Sequence, residues 1–321
     1  MEISCAFATS LDTPDHIVLA EQLGYRRAWC YDSPALYPDV WVTLALAAER
    51  TSRIGLGPSV LIPSLRHVLT NASAIATLEH LAPGRVVVAI GSGFTGRRAL
   101  GKPPLRWSFV RSYILALRAL LRGEEVEWEG AMIKMLHPAG FAPERPIDVP
   151  ILVGTAGPKS IAVAREVGDG CFGPADPGAR WVARLHFGTV LDEGEDPGSE
   201  RAIAAAGAAA AVMFHGAWER GAPASLPRGA EYEQRLAAVP ERSRHLAVHE
   251  GHLIAPNAID KEFITGELLA SRGLAGNLEA QRARLRRLEA EGVTEVAYQP
   301  AGPDIPRELR AFATVAGLKP A

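Results

Sequence analysis

A chain of 321 residues, 48% hydrophobic and 22% charged with a formal net charge of −2, is long enough for one large α/β barrel or two ordinary domains. The near-neutral balance offers no basic face to nucleic acid, and the longest apolar run, residues 202–214, is too short and too rich in alanine to span a membrane. The opening residues Met1, Glu2, Ile3 and Ser4 lack the charged and apolar regions of an export signal, so a cytosolic protein is expected.

In chain order, short apolar segments alternate with amphipathic ones. Residues 3–8 read as a strand. Residues 13–23 read as a helix, with Pro14 in its first turn and Gly24 closing it. Strands at 27–31, 54–61 and 85–90 follow, separated by helices at 40–50 and 68–81, and a helix at 108–121 completes four βα units. Residues 124–135 read as an added hairpin around Glu129 and Gly130. The second half continues with a strand at 150–154, a helix at 158–167, a short strand at 170–172, a helix at 181–191 and an alanine-rich strand at 203–214. Residues 215–266, broken by Pro223, Pro227, Pro240 and Pro256, read as an insertion with its own helix near 231–238. A helix at 277–291, a strand at 294–298 and a helix at 306–316 close the chain. Eight strands with intervening helices and no linker predict a single (β/α)8 TIM barrel over residues 1–321, with insertions after strands four and seven. Cys5, Cys30 and Cys171 are odd in number, show no metal spacing and read as buried thiols.

Two strand ends carry the strongest functional signal. Residues 53–67 and 84–96 are apolar β-branched runs that end in Gly, Pro and small polar residues, the pattern of buried parallel strands feeding ligand-facing loops. Gly91-Ser-Gly-Phe-Thr-Gly96 also spells G-x-G-x-x-G. A dinucleotide fingerprint should open a full helix in the first βαβ unit. This one sits on the fourth strand and is followed by Gly101, Pro103 and Pro104, so a loop that brings backbone close to a ligand is the better reading.

The blocks Ala20-Glu-Gln-Leu-Gly-Tyr25 with Trp29 and Asp32, Thr51 through Pro63 with Arg66-His67, Ala76-Thr-Leu78 with Pro83-Gly-Arg85, Gly91-Ser-Gly93, and Gly154-Thr-Ala-Gly-Pro158 with Gly168-Asp-Gly170 together resemble the luciferase-like superfamily of flavin- and deazaflavin-dependent oxidoreductases. The chain is most similar to its coenzyme F420 branch. That resemblance implies a non-prolyl cis peptide at Ser59-Val60 behind the cofactor ring, Asp32 near the ring's polar edge, and Gly91, Ser92 and Gly93 beside the ring. It implies a phosphate site at Thr155, Ala156, Gly157, Pro158, Lys159 and Ser160, where small residues before a helix also offer amides and a favourable dipole to an anion. Arg97 and Arg98 are further candidates for phosphate or the acidic tail of F420.

Where the sugar-phosphate dehydrogenases of that branch carry Asp-His, this chain has Asp32-Ser33. The proton-transfer histidine is absent, which leaves Ser33, Glu250 and His252, with His249 beside them, as candidates for acid/base or substrate contact. The spacing His249-x-x-His252 is not H-E-x-x-H, no third ligand is evident, and no metal is expected. His67 reads as structural. The implied function is hydride transfer between F420 and a small organic substrate. The alternatives are an FMN-dependent monooxygenase supplied with reduced flavin by a partner reductase, and a catalytically silent flavin-binding protein. The resemblance also implies a homodimer packed through the helices at 40–50 and 68–81, which are rich in Ala, Leu and Val.

Overall fold

The computed structural model describes residues 1–176 and 178–320. In chain order the strands are β1 (Glu2–Phe7), β2 (Arg27–Cys30), β3 (Gly55–Pro58), β4 (Val88–Ile90), β5 (Val126–Trp128), β6 (Ala131–Ile133), β7 (Ile151–Gly154), β8 (Gly170–Phe172), β9 (Val182–Phe187), β10 (Thr189–Val190), β11 (Ala275–Gly276) and β12 (Glu295–Gln299). Eight of these form one parallel sheet in the order β3-β2-β1-β12-β9-β8-β7-β4. Backbone bonds across the β3/β4 seam, Leu56 N–H to Arg85 O at 2.9 Å and Leu61 N–H to Ala89 O at 2.7 Å, close that sheet into a barrel. Gly57 lies on the seam, where a Cβ would stand 1.8 Å from Val87 O.

Alternation along the strands sorts side chains into two layers. Cys5, Phe7, Leu56, Val88, Ile151 and Val296 point outward into the large core under the helices, while Ala6, Trp29, Ala89, Leu152, Phe172 and Ala297 fill the barrel interior. The interior also holds the fully buried Glu295. Its carboxylate accepts from Ser4 Oγ (2.5 Å), Trp29 Nε1 (2.9 Å), Arg27 Nη1 (2.9 Å) and Trp181 Nε1 (2.7 Å), which satisfies both oxygens.

The helices are α1 (Thr13–Gln22), α2 (Val40–Arg50), α3 (Val68–Leu81), α4 (Phe94–Arg98), α5 (Trp107–Arg122), α6 (Pro158–Val167), α7 (Glu200–Glu219), α8 (Gly229–Ala237), α9 (Arg244–His249), α10 (Gly266–Ser271), α11 (Leu278–Ala290) and α12 (Ile305–Ala316). Two expectations are reversed here. Residues 182–187, expected as helix, form the seventh barrel strand, and residues 203–214, expected as strand, lie within α7. Alanine is the best helix former and a poor strand former, and the buried positions Ala202, Ala206, Ala210 and Phe214 recur at helical spacing. The two errors offset each other, so the strand count of eight stands.

The expected insertion of residues 215–266 therefore starts inside α7. Together with α8, α9 and α10 it encloses a second, smaller core around Phe214, Tyr232, Leu236, Val248 and Phe263. The hairpin of β5 and β6 follows α5 and not the fourth strand directly, and it packs back along α5 through Trp128 against Phe109 and Tyr113.

Candidate functional site

The carboxyl ends of the barrel strands converge on a cavity of about 480 Å³. The loop after β2 delivers Tyr31, Asp32 and Ser33 to it, and the loop after β3 delivers Ser59, Val60 and Ile62. Gly91, Ser92 and Gly93 come from β4, Gly154, Thr155 and Ala156 from β7, and Phe172 with Gly173 from β8. Trp107, Phe94 and Leu253 add apolar wall.

Ser59-Val60 is a cis peptide. The Val60 side chain is wedged between two glycines, since a Cβ on Gly91 would stand 2.7 Å from Val60 Cγ2 and one on Gly154 would stand 3.0 Å from Val60 Cγ1. The bare backbone at both positions leaves room for Val60 to form an apolar platform in the cavity wall. The other two glycines of the G-x-G-x-x-G string have packing roles as well. Gly93 takes φ +76, and Gly96 lies so close to Ile62 and Ser33 that a Cβ would meet them at 2.4 Å and 2.8 Å. The string opens only the five-residue α4, so it is a loop-packing device and not a dinucleotide fingerprint.

Asp32 is 3% exposed. Its carboxylate accepts from Arg66 Nη1 at 2.7 Å and from Ile62 N–H at 3.3 Å, and Arg66 reaches on to Asp39 at 2.6 Å. Burial raises the Asp32 carboxyl above its ordinary range, and the adjacent Arg66 guanidinium opposes that rise. The phenol of Tyr31 lines the same cavity, is buried and has no hydrogen-bond partner among the described residues. Burial first, then Tyr37 and Cys30, pushes it well above its usual range, so it stays protonated as a donor.

At the start of α6 the hydroxyl of Ser160 turns inward. It accepts from the Ala156 and Gly157 amides at 2.9 Å and 3.0 Å and donates to Gly157 O at 2.6 Å. Two of the amides that the sequence offers to an anion are thus already engaged by Ser160, which caps the helix and lies outside the cavity lining. Thr155 and Ala156 line the cavity, whereas Pro158 and Lys159 stand outside its lining. Arg97 is also outside: its guanidinium is tied to Ser64 Oγ and Pro103 O, both at 2.6 Å. Arg98 sits over the Phe94 ring at 5.7 Å. His67 caps α3, its Nδ1 accepting from Leu69 N–H at 3.2 Å.

The insertion reaches the cavity at one place. His252 and Leu253 line it, held there by Tyr37 Oη donating to His252 O at 2.7 Å and Gln299 Nε2 donating to Leu253 O at 2.9 Å. Burial, then the neighbouring His215 and His249 rings, keeps the His252 imidazole well below its usual range and neutral. Glu250 is exposed and stands outside this lining; it borders a neighbouring pocket together with His249 and His252. Sequence reasoning also missed His215, whose ring stacks on His252 at 5.3 Å. Once residues 200–219 are read as a helix, His215 and Glu219 fall at i and i+4 on one face, which is the signal that would have found it.

Comparison with known proteins adds the following. A family model described as luciferase-like monooxygenase matches residues 11–295. The chain is 28% identical over 316 residues to 5,10-methylenetetrahydromethanopterin reductase of Archaeoglobus fulgidus, covering 92% of this chain and 91% of that one. It is 37% identical over 173 residues to F420-dependent glucose-6-phosphate dehydrogenase of Beutenbergia cavernae, covering 48% and 50%. The match thus spans about half the length of that relative. Among solved structures, the coenzyme F420 dependent tetrahydromethanopterin reductase from Methanopyrus kandleri superposes with a TM-score of 0.66 at 20% identity, over 99% of this chain and 100% of the other, a likeness of fold.

Proposed function

Because the chain belongs to the luciferase-like monooxygenase family, we propose that it is an oxidoreductase that uses coenzyme F420 to exchange a hydride with a small organic substrate at the barrel mouth. The observation that carries this reading is the Val60 platform, flanked by bare glycine backbone on both sides and facing an apolar cavity of about 480 Å³. Such a surface fits the face of a flat, ring-based cofactor, and the relatives with F420 in their names favour the deazaflavin.

In this reading Ser59, Val60, Gly91, Ser92 and Gly93 would hold the ring and Thr155 and Ala156 the start of its phosphate-bearing chain. The bound deazaflavin supplies the hydride chemistry. The chain's own residues do the rest. Asp32, fixed by Arg66, sets a buried charge pair at the polar side of the mouth. Trp107, Phe172 and Leu253 exclude water. Tyr31, in the cavity wall with a protonated, buried and unpartnered hydroxyl, is the candidate proton donor in place of the histidine that the sequence lacks after Asp32.

The test is anaerobic turnover with F420 and a panel of small alcohols, aldehydes and enones, followed by deazaflavin absorbance. Tyr31→Phe should cut turnover by about 10²-fold and leave F420 affinity unchanged. Oxygen-dependent turnover with reduced FMN, and none with F420, replaces this reading with the monooxygenase alternative.

A further inference from the structure

We propose that the chain binds one divalent transition-metal ion, zinc by its ligand type, through His215, His249 and His252, as a staple that holds the insertion over the barrel mouth. His215 comes from α7, His249 ends α9, and His252 lies in the turn that follows. One nitrogen of each ring lies within 4.8 Å of those of the other two, and all three residues are buried.

The tautomers of two rings are set from behind. His215 Nε2 is 3.1 Å and 3.2 Å from the two oxygens of Asp260, and His249 Nε2 is 2.8 Å from Glu219 Oε1. A carboxylate accepts, so the tautomer these contacts favour has its proton on Nε2 and turns Nδ1 toward the centre of the cluster. This carboxylate–imidazole arrangement is how metal-ligating histidines are oriented. His249 Nδ1 is buried with no partner among the described residues. His215 Nδ1 faces His252 Nδ1 at 3.1 Å, close to the ~3.3 Å edge of a tetrahedron built on Zn–N bonds of about 2.0–2.1 Å.

Charge balance points the same way. The Asp260 side chain is 1% exposed and that of Glu219 is 2% exposed. Among the described residues neither pairs with an arginine or lysine; Asp260 accepts further from Tyr232 Oη and Asn257 N–H, both at 3.2 Å. Two buried carboxylates are thus backed onto imidazoles with no arginine or lysine beside them among the described residues. A divalent cation among the three rings supplies the matching charge. An all-imidazole donor set suits zinc and leaves a fourth position for water.

The location gives the ion a role. His252 and Leu253 form the part of the insertion that lines the cavity, so an ion that fixes His252 fixes that wall. Spacing along the chain brings out only His249 and His252. The third ligand, His215, follows directly on the alanine-rich run at 203–214 and joins the other two because that run is helical.

The experiment is metal analysis of the untagged wild-type protein grown with zinc, then titration of chelator-treated protein with zinc and with cobalt, which reports coordination number by its visible absorption. Expected are one zinc per chain, re-uptake after chelation, a four-coordinate cobalt spectrum and a higher Tm with metal. His249→Ala and His215→Gln should each weaken zinc binding by at least ~10-fold. Wild-type protein that carries no stoichiometric metal and takes up neither ion overturns the proposal, and so does an ion retained undiminished in both variants. None of these readouts requires F420, so they stand or fall apart from the oxidoreductase reading.

Discussion

Gly91→Ala puts the proposed ring platform to a test whose size follows from the geometry. The new methyl would stand 2.7 Å from Val60 Cγ2 and 3.2 Å from Val60 Cβ, whereas carbon atoms in contact prefer about 3.5–4.0 Å. Gly91 cannot withdraw easily, because its N–H donates to Leu61 O at 3.1 Å across the barrel seam. Val60 must therefore move, and the open direction is the cavity. Overpacking of this kind costs about 1–3 kcal/mol. Expressed as displacement of the platform, that weakens F420 binding by about 5- to 150-fold, at about 1.4 kcal/mol per factor of ten. Val60→Ala removes the γ-methyls that meet the new group, so Gly91→Ala should cost much less in that background. The assay is a double-mutant cycle of F420 affinities with a thermal melt of each variant, and the expected coupling is about 1 kcal/mol or more. Equal losses from Gly91→Ala in both backgrounds, or none in either, would refute the platform.

Three further outcomes are expected. Gly157 has an extended backbone, and a Cβ placed on it would meet nothing within 4 Å, so Gly157→Asp should leave Tm unchanged while its charge weakens F420 binding by more than about ten-fold; unchanged affinity places the phosphate elsewhere. His186, packed against Phe312 and 3.1 Å from Gln281 Oε1, is pushed down to about 3 by burial, with Arg284 adding to the effect. Its folded value lies below the unfolded one, so the neutral ring's contribution is whole above about pH 6.5 and is lost as pH falls toward 3. Between about pH 7 and 5, wild type should lose about 2 kcal/mol that His186→Gln does not, measured by denaturant unfolding; parallel losses contradict the assignment. For the expected homodimer, α2 exposes Val42 and Leu46 at 62% and 44%, and Val42→Glu with Leu46→Glu should give a monomer by light scattering where wild type gives a dimer. A monomeric wild type ends that proposal.

Much of the site was legible because it is built from backbone. Residues 53–67 and 84–96 declare themselves by short apolar runs that stop at Gly, Pro and Ser, and the structure turns those stops into the Val60 wedge and the close approach of Gly91. Side-chain direction was less visible. Ser160 was a reasonable anion contact by position, yet its hydroxyl satisfies the two amides beside it. Glu250 sits two residues from His252, but at the end of the short helix α9 the first is exposed and the second is buried, and of the two only His252 lines the barrel cavity. The Glu295 plug was hidden for another reason: its donors Ser4, Arg27, Trp29 and Trp181 lie far away in sequence and meet only when the barrel closes. The exchange of helix and strand at 182–187 and 203–214 arose from treating an alanine-rich run as a buried strand, where the spacing of its buried positions is helical.

The most direct measurement is equilibrium titration of the apoprotein with F420 and with FMN, each followed by competition with the other. F420 should bind and resist displacement by a molar excess of FMN, and a hydride donor or acceptor should then change the bound deazaflavin without oxygen. Tight binding of FMN that F420 cannot displace would contradict the assignment of this chain to deazaflavin chemistry.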